Sequence, residues 1–366
     1  MKLTCNRSEL LSALQIVQMA VASRTTKPIL SCVKAIAKDG ELILMGSDLD
    51  VGIIYKLKPE SIDRTGSAIL PVARLVSILK ESSDTSVTLV ADGDTTKITI
   101  GRSKYELPGG DVDSFPDVEE PAKDSPVTIP AGVLRSMIKR TVFAAEKREN
   151  TRFAVTGVMW ELAPNGLKLV ATDTKRLAIS EFAEDNGSEK PVSALIPVKA
   201  IQLLERNLDA DGERIGVAIG HTQAFFTTDR ATICTRLVEG KFPPYQQFLP
   251  KKLPIKIPLV RESFLGAIRA AAITSDQESK RVDFSFAPGK VLMESKGAES
   301  GHSEVELALP DYDGTEFTIS FDPSFLTEML RAVDDVNLVM EVTEAKDRAV
   351  IKAGDSFRYL VVPMIS

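Results

Sequence analysis

The sequence is poor in the residues that carry most catalytic and metal chemistry. Its 366 residues include only two histidines, His221 and His302, and three cysteines, Cys5, Cys32 and Cys234. The cysteines are odd in number and far apart, with no Cys-x-x-Cys pair, which excludes a disulfide framework. So few Cys and His argue against a metal site of the usual Cys/His kind, and neither metal nor cofactor is expected. A Ser-His-Asp or Cys-His pair has only two imidazoles to draw on. No apolar run approaches the roughly 18 residues of a membrane span. The first residues, Met1 to Ser8, lack the apolar core of a signal peptide, so a cytoplasmic protein without membrane contact is expected. No glycine-rich loop opens a helix after a strand at the spacing that cradles a nucleotide. Glycine (22) and proline (20) are not periodic, which excludes collagen-like chains. A composition of 43% hydrophobic and 26% charged residues is that of an ordinary globular chain.

What the chain does have is repetition. At roughly 100–200 residues per domain, its length predicts two to four domains. Leu70-Pro71-Val72, Ile196-Pro197-Val198 and Asp322-Pro323-Ser324 place three prolines 126 residues apart, each where a strand hands over to a helix. Asp48 and Asp173 are 125 apart and Phe115 and Phe242 are 127 apart, each pair in similar surroundings. Anchors at nearly one offset predict three copies of one domain, at 1–125, 126–253 and 254–366. Within each copy a helix (Arg7 to Ala20, Ala131 to Lys147, Arg261 to Ala272) precedes alternating strands. A proline-initiated helix and further strands follow. Asp39-Gly40 and Asn165-Gly166 are hairpin turns. The reading is α+β, with six helices among antiparallel sheets.

The net charge of −6 argues against nucleic acid when taken as an average. The average conceals a segregation. The six predicted helices carry +5 between them, leaving −11 for everything else. The helix at 131–147 sets Leu134, Met137, Ile138, Thr141 and Ala145 on one side and Arg135, Lys139, Arg140 and Lys147 on the other, with Phe143 out of pattern. A charged face on one helix is commonly just solvated. A basic helix set within an acidic chain suits a surface that touches phosphates without reading bases.

Several segments then resemble one family. These are Lys27-Pro28-Ile29-Leu30, Ala171-Thr172-Asp173 with Arg176-Leu177, Leu237-Val238-Glu239-Gly240-Lys241-Phe242-Pro243, and Tyr359-Leu360-Val361-Val362-Pro363-Met364. In this order and at this spacing, with three repeats, the chain resembles the bacterial DNA polymerase III β subunit, the replicative sliding clamp, from end to end. The resemblance implies the DNA-clamp fold and a head-to-tail homodimer whose six domains close around double-stranded DNA, with no catalytic activity. It implies DNA contacts at Arg24, Arg74, Lys199, Lys280 and Arg281, and at Arg148, Glu149 and Phe153 in the segment 148–153. It implies a pocket for short clamp-binding peptides of the polymerase III catalytic subunit, the clamp loader, other polymerases and repair proteins. One part of that pocket is Val155, Thr172, Thr174, Lys175, Arg176, Leu177, Pro243, Gln247, Phe248 and Leu360. The other is Arg152, Asp322, Phe325, Val362, Pro363 and Met364. Thr174-Lys175, Gln247, Phe248 and Val362 depart from the residues usual in the family. For the subunit boundary it implies Arg74, Ile78, Tyr105 and Leu107 against Ile273, with Arg102 and Lys104 near Glu299 and Glu304.

Two other readings compete. An enzyme using Asp48 or Asp173 as an acid or base is disfavoured, because the third copy has Ser295-Lys296-Gly297 in that slot and no partner of contrasting pKa is evident. A scaffold without nucleic acid would leave the charge excess on the helices unexplained.

Overall fold

The computed structural model describes residues 1–22, 24–121, 127–147, 154–208, 212–275, 280–297 and 300–364. The first repeat runs β1 (Lys2–Asn6), α1 (Arg7–Gln18), β2 (Val33–Lys38), β3 (Glu41–Ser47), β4 (Val51–Leu57), β5 (Ser61–Arg64), β6 (Gly66–Leu70), α2 (Val72–Glu81), β7 (Ser86–Asp92), β8 (Thr95–Ile100) and β9 (Ser103–Pro108). The second runs β10 (Val127–Pro130), α3 (Ala131–Thr141), β11 (Gly157–Ala163), β12 (Gly166–Thr172), β13 (Arg176–Phe182), β14 (Val192–Pro197), α4 (Val198–Glu205), β15 (Arg214–Ile219), β16 (Gln223–Thr227) and β17 (Ala231–Arg236). The third runs β18 (Ile255–Val260), α5 (Arg261–Ala271), β19 (Val282–Ala287), β20 (Gly289–Gly297), β21 (Gly301–Leu309), β22 (Phe317–Phe321), α6 (Pro323–Ala332), β23 (Asn337–Val342), β24 (Ala349–Ala353) and β25 (Phe357–Val361). Apart from the added β5, the three orders are the same.

The three repeats group into two compact units. One is Met1–Arg135 with Asn186–Ser188 and Ile196–Leu237; the other is Ser136–Asp185 with Glu189–Leu195 and Val238–Ser366. The middle repeat supplies strands to both, because its two sheets are each completed by a neighbouring repeat. In the first unit, β10-β15-β16-β17 joins β4-β3-β2-β6 in one eight-stranded sheet, and β17 pairs β4 with Ile233 opposite Ile53. In the second, β14-β11-β12-β13 joins β25-β24-β23-β18, with Leu177 opposite Leu360. The ends of the series are shorter sheets, β5-β1-β7-β8-β9 in the first unit and β21-β20-β19-β22 in the second.

Local sequence accounts for these elements. Most strands alternate buried and accessible residues, as β2, β11 and β19 do, because one face covers the core. The joint strands β4 and β13 differ: each buries its first five residues in succession, the pattern of a strand covered on both faces. α1 buries Leu10, Ala13, Leu14 and Val17, and α2 buries Val72, Leu75, Val76 and Leu79, apolar stripes at helical spacing. The Asp39-Gly40 turn is a two-residue hairpin, and both residues have positive φ (51° and 80°).

Three expectations need correction. The helix at 131–147 stops at Thr141, whose hydroxyl bonds back to the Met137 and Ile138 carbonyls, and a 3-10 turn takes over at Val142–Ala144. Lys147 is therefore off the helix, and Phe143 is turned to meet Tyr359 with ring centroids 5.8 Å apart. α1 and α5 likewise end early, at Gln18 and Ala271. The prolines are also not fully equivalent: Pro71 and Pro197 occupy the cap position, whereas Pro323 is inside the helix and Asp322 caps it. On the observed helices the charges from α1 to α6 are 0, +1, +3, 0, +1 and 0, so the excess remains +5.

Asp48 and Asp173 turn out to perform one structural task. Each Oδ1 accepts from two backbone amides, Asp50 and Val51 in the first case and Lys175 and Arg176 in the second. Each closes the turn leading into its joint strand, and the residue after it is left-handed, Leu49 at φ 82° and Thr174 at φ 76°. The repeated aspartates are turn formers, not acid–base groups.

Asn6 caps α1 by accepting from the Ser8 and Glu9 amides. Asn6→Ala should lower stability by about 1 kcal/mol, read as a shifted urea midpoint at unchanged slope.

Candidate peptide pocket and charged surfaces

The second unit contains a cavity of about 440 Å³ built on the joint between β13 and β25. The β12–β13 turn supplies Thr172, Thr174, Lys175, Arg176 and Leu177. The opposite strand supplies Leu360 and Val362, and the Val362 amide donates to the Lys175 carbonyl at 3.0 Å, extending the pairing past β25. Pro243, Tyr245 and Phe248 come from the segment after β17, where Tyr245–Phe248 form a 3-10 turn. Asp347 and Arg348, just before β24, close the rim.

The floor is apolar. Val170, Leu177, Ile179, Tyr245, Val350 and Leu360 form one buried cluster, against which Met159, Phe242, Leu249 and Leu253 pack. Tyr245 donates to Glu161 Oε2 at 2.9 Å, and burial, with that carboxylate, holds its phenol well above the usual range. Arg348 donates to the Phe248 carbonyl at 3.2 Å and pins the turn. Phe248 and Val362 remain 48% and 43% exposed, so two large apolar side chains stand in solvent at the mouth. An apolar floor with a few polar groups at its rim is what a short hydrophobic peptide needs.

One wall is held by Arg176, whose side chain is 5% exposed. Its Nε donates to Asp173 Oδ2 at 2.9 Å, one terminal nitrogen to Glu328 Oε2 at 2.6 Å and the other to the Phe143 carbonyl at 2.9 Å. The guanidinium also lies 4.5 Å from the Phe325 ring centroid and 5.5 Å from that of Phe143. Burial opposes its charge, but Tyr359, Glu328 and Asp173 outweigh that and raise its pKa. Arg176 thus ties the pocket turn to α6.

The cavity brings together Thr172, Thr174, Lys175, Arg176, Leu177, Pro243, Phe248, Leu360 and Val362 of the sequence-derived set. It does not include the others. Val155 is in the core, and Gln247 is exposed on the 3-10 turn. Asp322 caps α6 through the Ser324 amide, and Phe325 lies under Arg176. Pro363 and Met364 are half-buried, and the Met364 amide donates to the Ser320 carbonyl, placing this segment alongside β22. Arg152 lies outside the described residues. Tyr245, Asp347 and Arg348 were not anticipated. Tyr245 had a local signal, an aromatic residue directly after Pro243-Pro244. Arg348 had none, because only the pairing of β24 brings it here.

The expected DNA-contact residues are unequally free. Arg24 and Arg74 are exposed in the first unit. Lys199 is committed: its ammonium bonds Asp48 Oδ2 at 2.5 Å and the Ala20 carbonyl at 3.3 Å. In the second unit Lys280 is exposed, and Arg281 Nε is held by Asp283 Oδ1 at 2.7 Å. The basic face of α3 is partly neutralised, since Lys139 and Arg140 pair with Asp334 and Asp335 at 2.9 and 2.7 Å. Arg148, Glu149 and Phe153 lie outside the described residues.

Of the boundary residues, Ile78 is half-buried on α2, Arg102 is exposed in the turn before β9, and Lys104 and Tyr105 are exposed on β9. Leu107, only 7% exposed, belongs to its own core and has little surface left to offer a neighbour. In the second unit Ile273 is 79% exposed and Glu304 is exposed on β21; Glu299 lies outside the described residues.

Three family models match in succession: DNA polymerase III beta subunit N-terminal domain over residues 1–119, central domain over 128–244 and C-terminal domain over 246–365. Curated relatives are the beta sliding clamps of Pseudomonas putida, 28% identical over the full length of both chains, and of Staphylococcus aureus, 29% identical over all of this chain and 99% of the other. Among solved structures, a sliding clamp of Pseudomonas aeruginosa bound to griselimycin superposes with a TM-score of 0.92 at 26% identity, covering both chains fully. The clamp of Bacillus subtilis gives 0.90 at 27%, covering all of this chain and 99% of the other.

Replacing Arg176 by Leu strands two carboxylates in a partly buried site. It should cost about 3 kcal/mol or more, against about 1 for Asp48→Ala, compared by chemical denaturation of the two variants.

Proposed function

The chain belongs to the DNA polymerase III β subunit family of sliding clamps, and from that membership we propose that two copies close head to tail into a ring around duplex DNA. The protein is a processivity factor, not an enzyme, acting with DNA and a polymerase. The observation that carries the ring is an unfilled joint. In the repeat order, β4, β13 and β21 are equivalent, and so are β9, β17 and β25. β4 pairs β17 and β13 pairs β25, which leaves β21 and β9 at the edges of their sheets. Long edge strands are templates for pairing, and β21 of one copy against β9 of another repeats the same joint a third time.

Side chains support that contact. Ile273, Tyr105 and Ile78 supply apolar surface, and Arg102, just before β9, and Lys104 on it are set to meet Glu304 and Glu299 of the other copy. Exposed ion pairs of this kind are each worth roughly 0–1 kcal/mol, so the apolar residues and the strand pairing carry the association. Among the expected contacts that are described, Arg24, Arg74 and Lys280 have no ion-pair partner and are set to meet phosphate, and Arg148 is assigned the same role from the family. Lys199 and Arg281 contribute only if they leave Asp48 and Asp283. The boundaries 1–125, 126–253 and 254–366 are the domains of this ring. The pocket receives short hydrophobic segments of the polymerase catalytic subunit, and the clamp loader, other polymerases and repair proteins use the same place. The setting is the cytoplasm.

Light scattering should give a species near twice 39.8 kDa. Ile78→Asp, which buries a charge in an apolar contact, should give the single-chain mass and abolish retention on circular DNA. A variant that stays dimeric would remove the β9–β21 assignment.

A hydrophobic peptide should bind the pocket in the micromolar range, as expected from burying a few apolar side chains at about 1.5–3 kcal/mol each against the ordering of a flexible tail. Phe248→Ala combined with Val362→Asp should weaken it at least tenfold, about 1.4 kcal/mol, with the dimer unaffected. Calorimetry distinguishes this from a partner site elsewhere, which would leave the affinity unchanged.

A further inference from the structure

His302 stands on β21 beside two carboxylates that nothing in the clamp reading uses as a group. β21 pairs β20 in a register that sets Glu304 directly opposite Glu294 and His302 opposite Lys296. Side chains alternate between faces along each strand. Ser295 and Ser303 take one face, and both hydroxyls bond the Ala271 carbonyl at the end of α5. Glu294, His302 and Glu304 share the opposite face, where one donor atom from each lies within 4.8 Å of the others. Glu294 is half-buried and the other two are exposed.

Two observations separate this cluster from an ordinary acidic surface. Carboxylates directly opposite on a sheet repel each other. Lys290 bonds Glu306, with Nζ 2.7 Å from Oε2, and its charge also reaches Glu304, while Lys296 stands opposite His302 on the same face. Among the described residues neither Glu294 nor Glu304 has a bonded counter-ion, and a cation held between them would relieve both. The second observation is the imidazole. His302 Nδ1 is 3.0 Å from the Ser295 carbonyl oxygen. That oxygen only accepts, so Nδ1 is the donor, which leaves Nε2 as the nitrogen able to offer a lone pair to a metal. Metal-binding histidines are oriented in this way, with the other nitrogen bonded to a carbonyl.

The donors are one imidazole nitrogen and two carboxylate oxygens. That set suits zinc and its first-row neighbours, whereas magnesium and calcium prefer oxygen alone. Zinc–ligand distances of about 2.0–2.2 Å put donors roughly 3–3.5 Å apart, so each side chain needs to close by only about 1 Å. We propose that Glu294, His302 and Glu304 bind one divalent transition-metal ion of the zinc class, with water completing its coordination. The scarcity of Cys and His pointed away from a metal, and here carboxylates supply what those residues lack. Glu304 is also the residue proposed to face Arg102 and Lys104 of a second copy, so metal and partner compete for one carboxylate. The site itself does not depend on that contact.

Zinc titrated calorimetrically into the metal-stripped full-length chain carrying Ile78→Asp, where no partner competes for Glu304, should bind one ion per chain at this site, and magnesium should not replace it. His302→Ala and Glu304→Gln should each weaken binding tenfold or more, the scale on which metal sites respond to loss of a supporting group. With two histidines in the chain, the imidazole nitrogen spectrum is simple enough to follow directly. Zinc should shift Nε2 of His302 and leave His221 alone. Unchanged affinity in His302→Ala, a shift confined to His221, or no stoichiometric binding would each overturn the proposal.

Discussion

The rest of the structure depends on the pairing of a strand from one repeat with a strand from the next. At β4·β17 and β13·β25 the sheet passes from one copy of the repeat to another without interruption. Each joint places five consecutive buried residues of β4 or β13 between two covered faces. A strand buried on both faces has no alternation to fix its register, so the alignment at each joint is left to the turn before it and to the side chains it packs against. The aspartate turn before each joint strand holds the hairpin in the geometry that delivers it, with a left-handed residue at its tip.

The pocket is a by-product of the second joint. Where β13 meets β25, the β12–β13 turn, the end of β25 and the approach to β24 meet, and the Pro243 to Phe248 segment covers the exposed end of the apolar cluster. Its rigid part is the Arg176 network; its accessible part is Phe248 and Val362. Order and exposure are thus divided between different residues. A partner can bury apolar surface at the mouth without disturbing the ion pairs that keep the wall in place.

Much of this was legible in the sequence, for local reasons. Prolines at helix starts repeat because the first turn of a helix needs no partner for the amide proton they lack, so their spacing exposed the three copies. Period-two runs marked the strands, and Asp39-Gly40 marked a hairpin. What could not be read depended on contacts distant in sequence. The helical periodicity of 131–147 continues through Phe143, so the stop at Thr141 was hidden until Tyr359 and Arg176 were seen to claim that ring. The neutralisation of Lys139 and Arg140 by Asp334 and Asp335, and of Lys199 by Asp48, is likewise invisible without the fold. So is the separation of Phe325 and Asp322, which sit at a helix start, from the cavity they were expected to line.

The position of β25 also sets an order of events in time. It is made after every other strand of its sheet, yet it lies in the interior of that sheet, between β13 and β24. While the chain is being synthesised, β13 waits with its buried pattern uncovered until the last strand emerges, and the two halves of that sheet have nothing to join them. Long-range pairing of this kind is slow to form and leaves apolar edges open meanwhile. The second unit therefore cannot complete that sheet until β25 has been made, and until then the edges it will cover stay open to pairing with other chains.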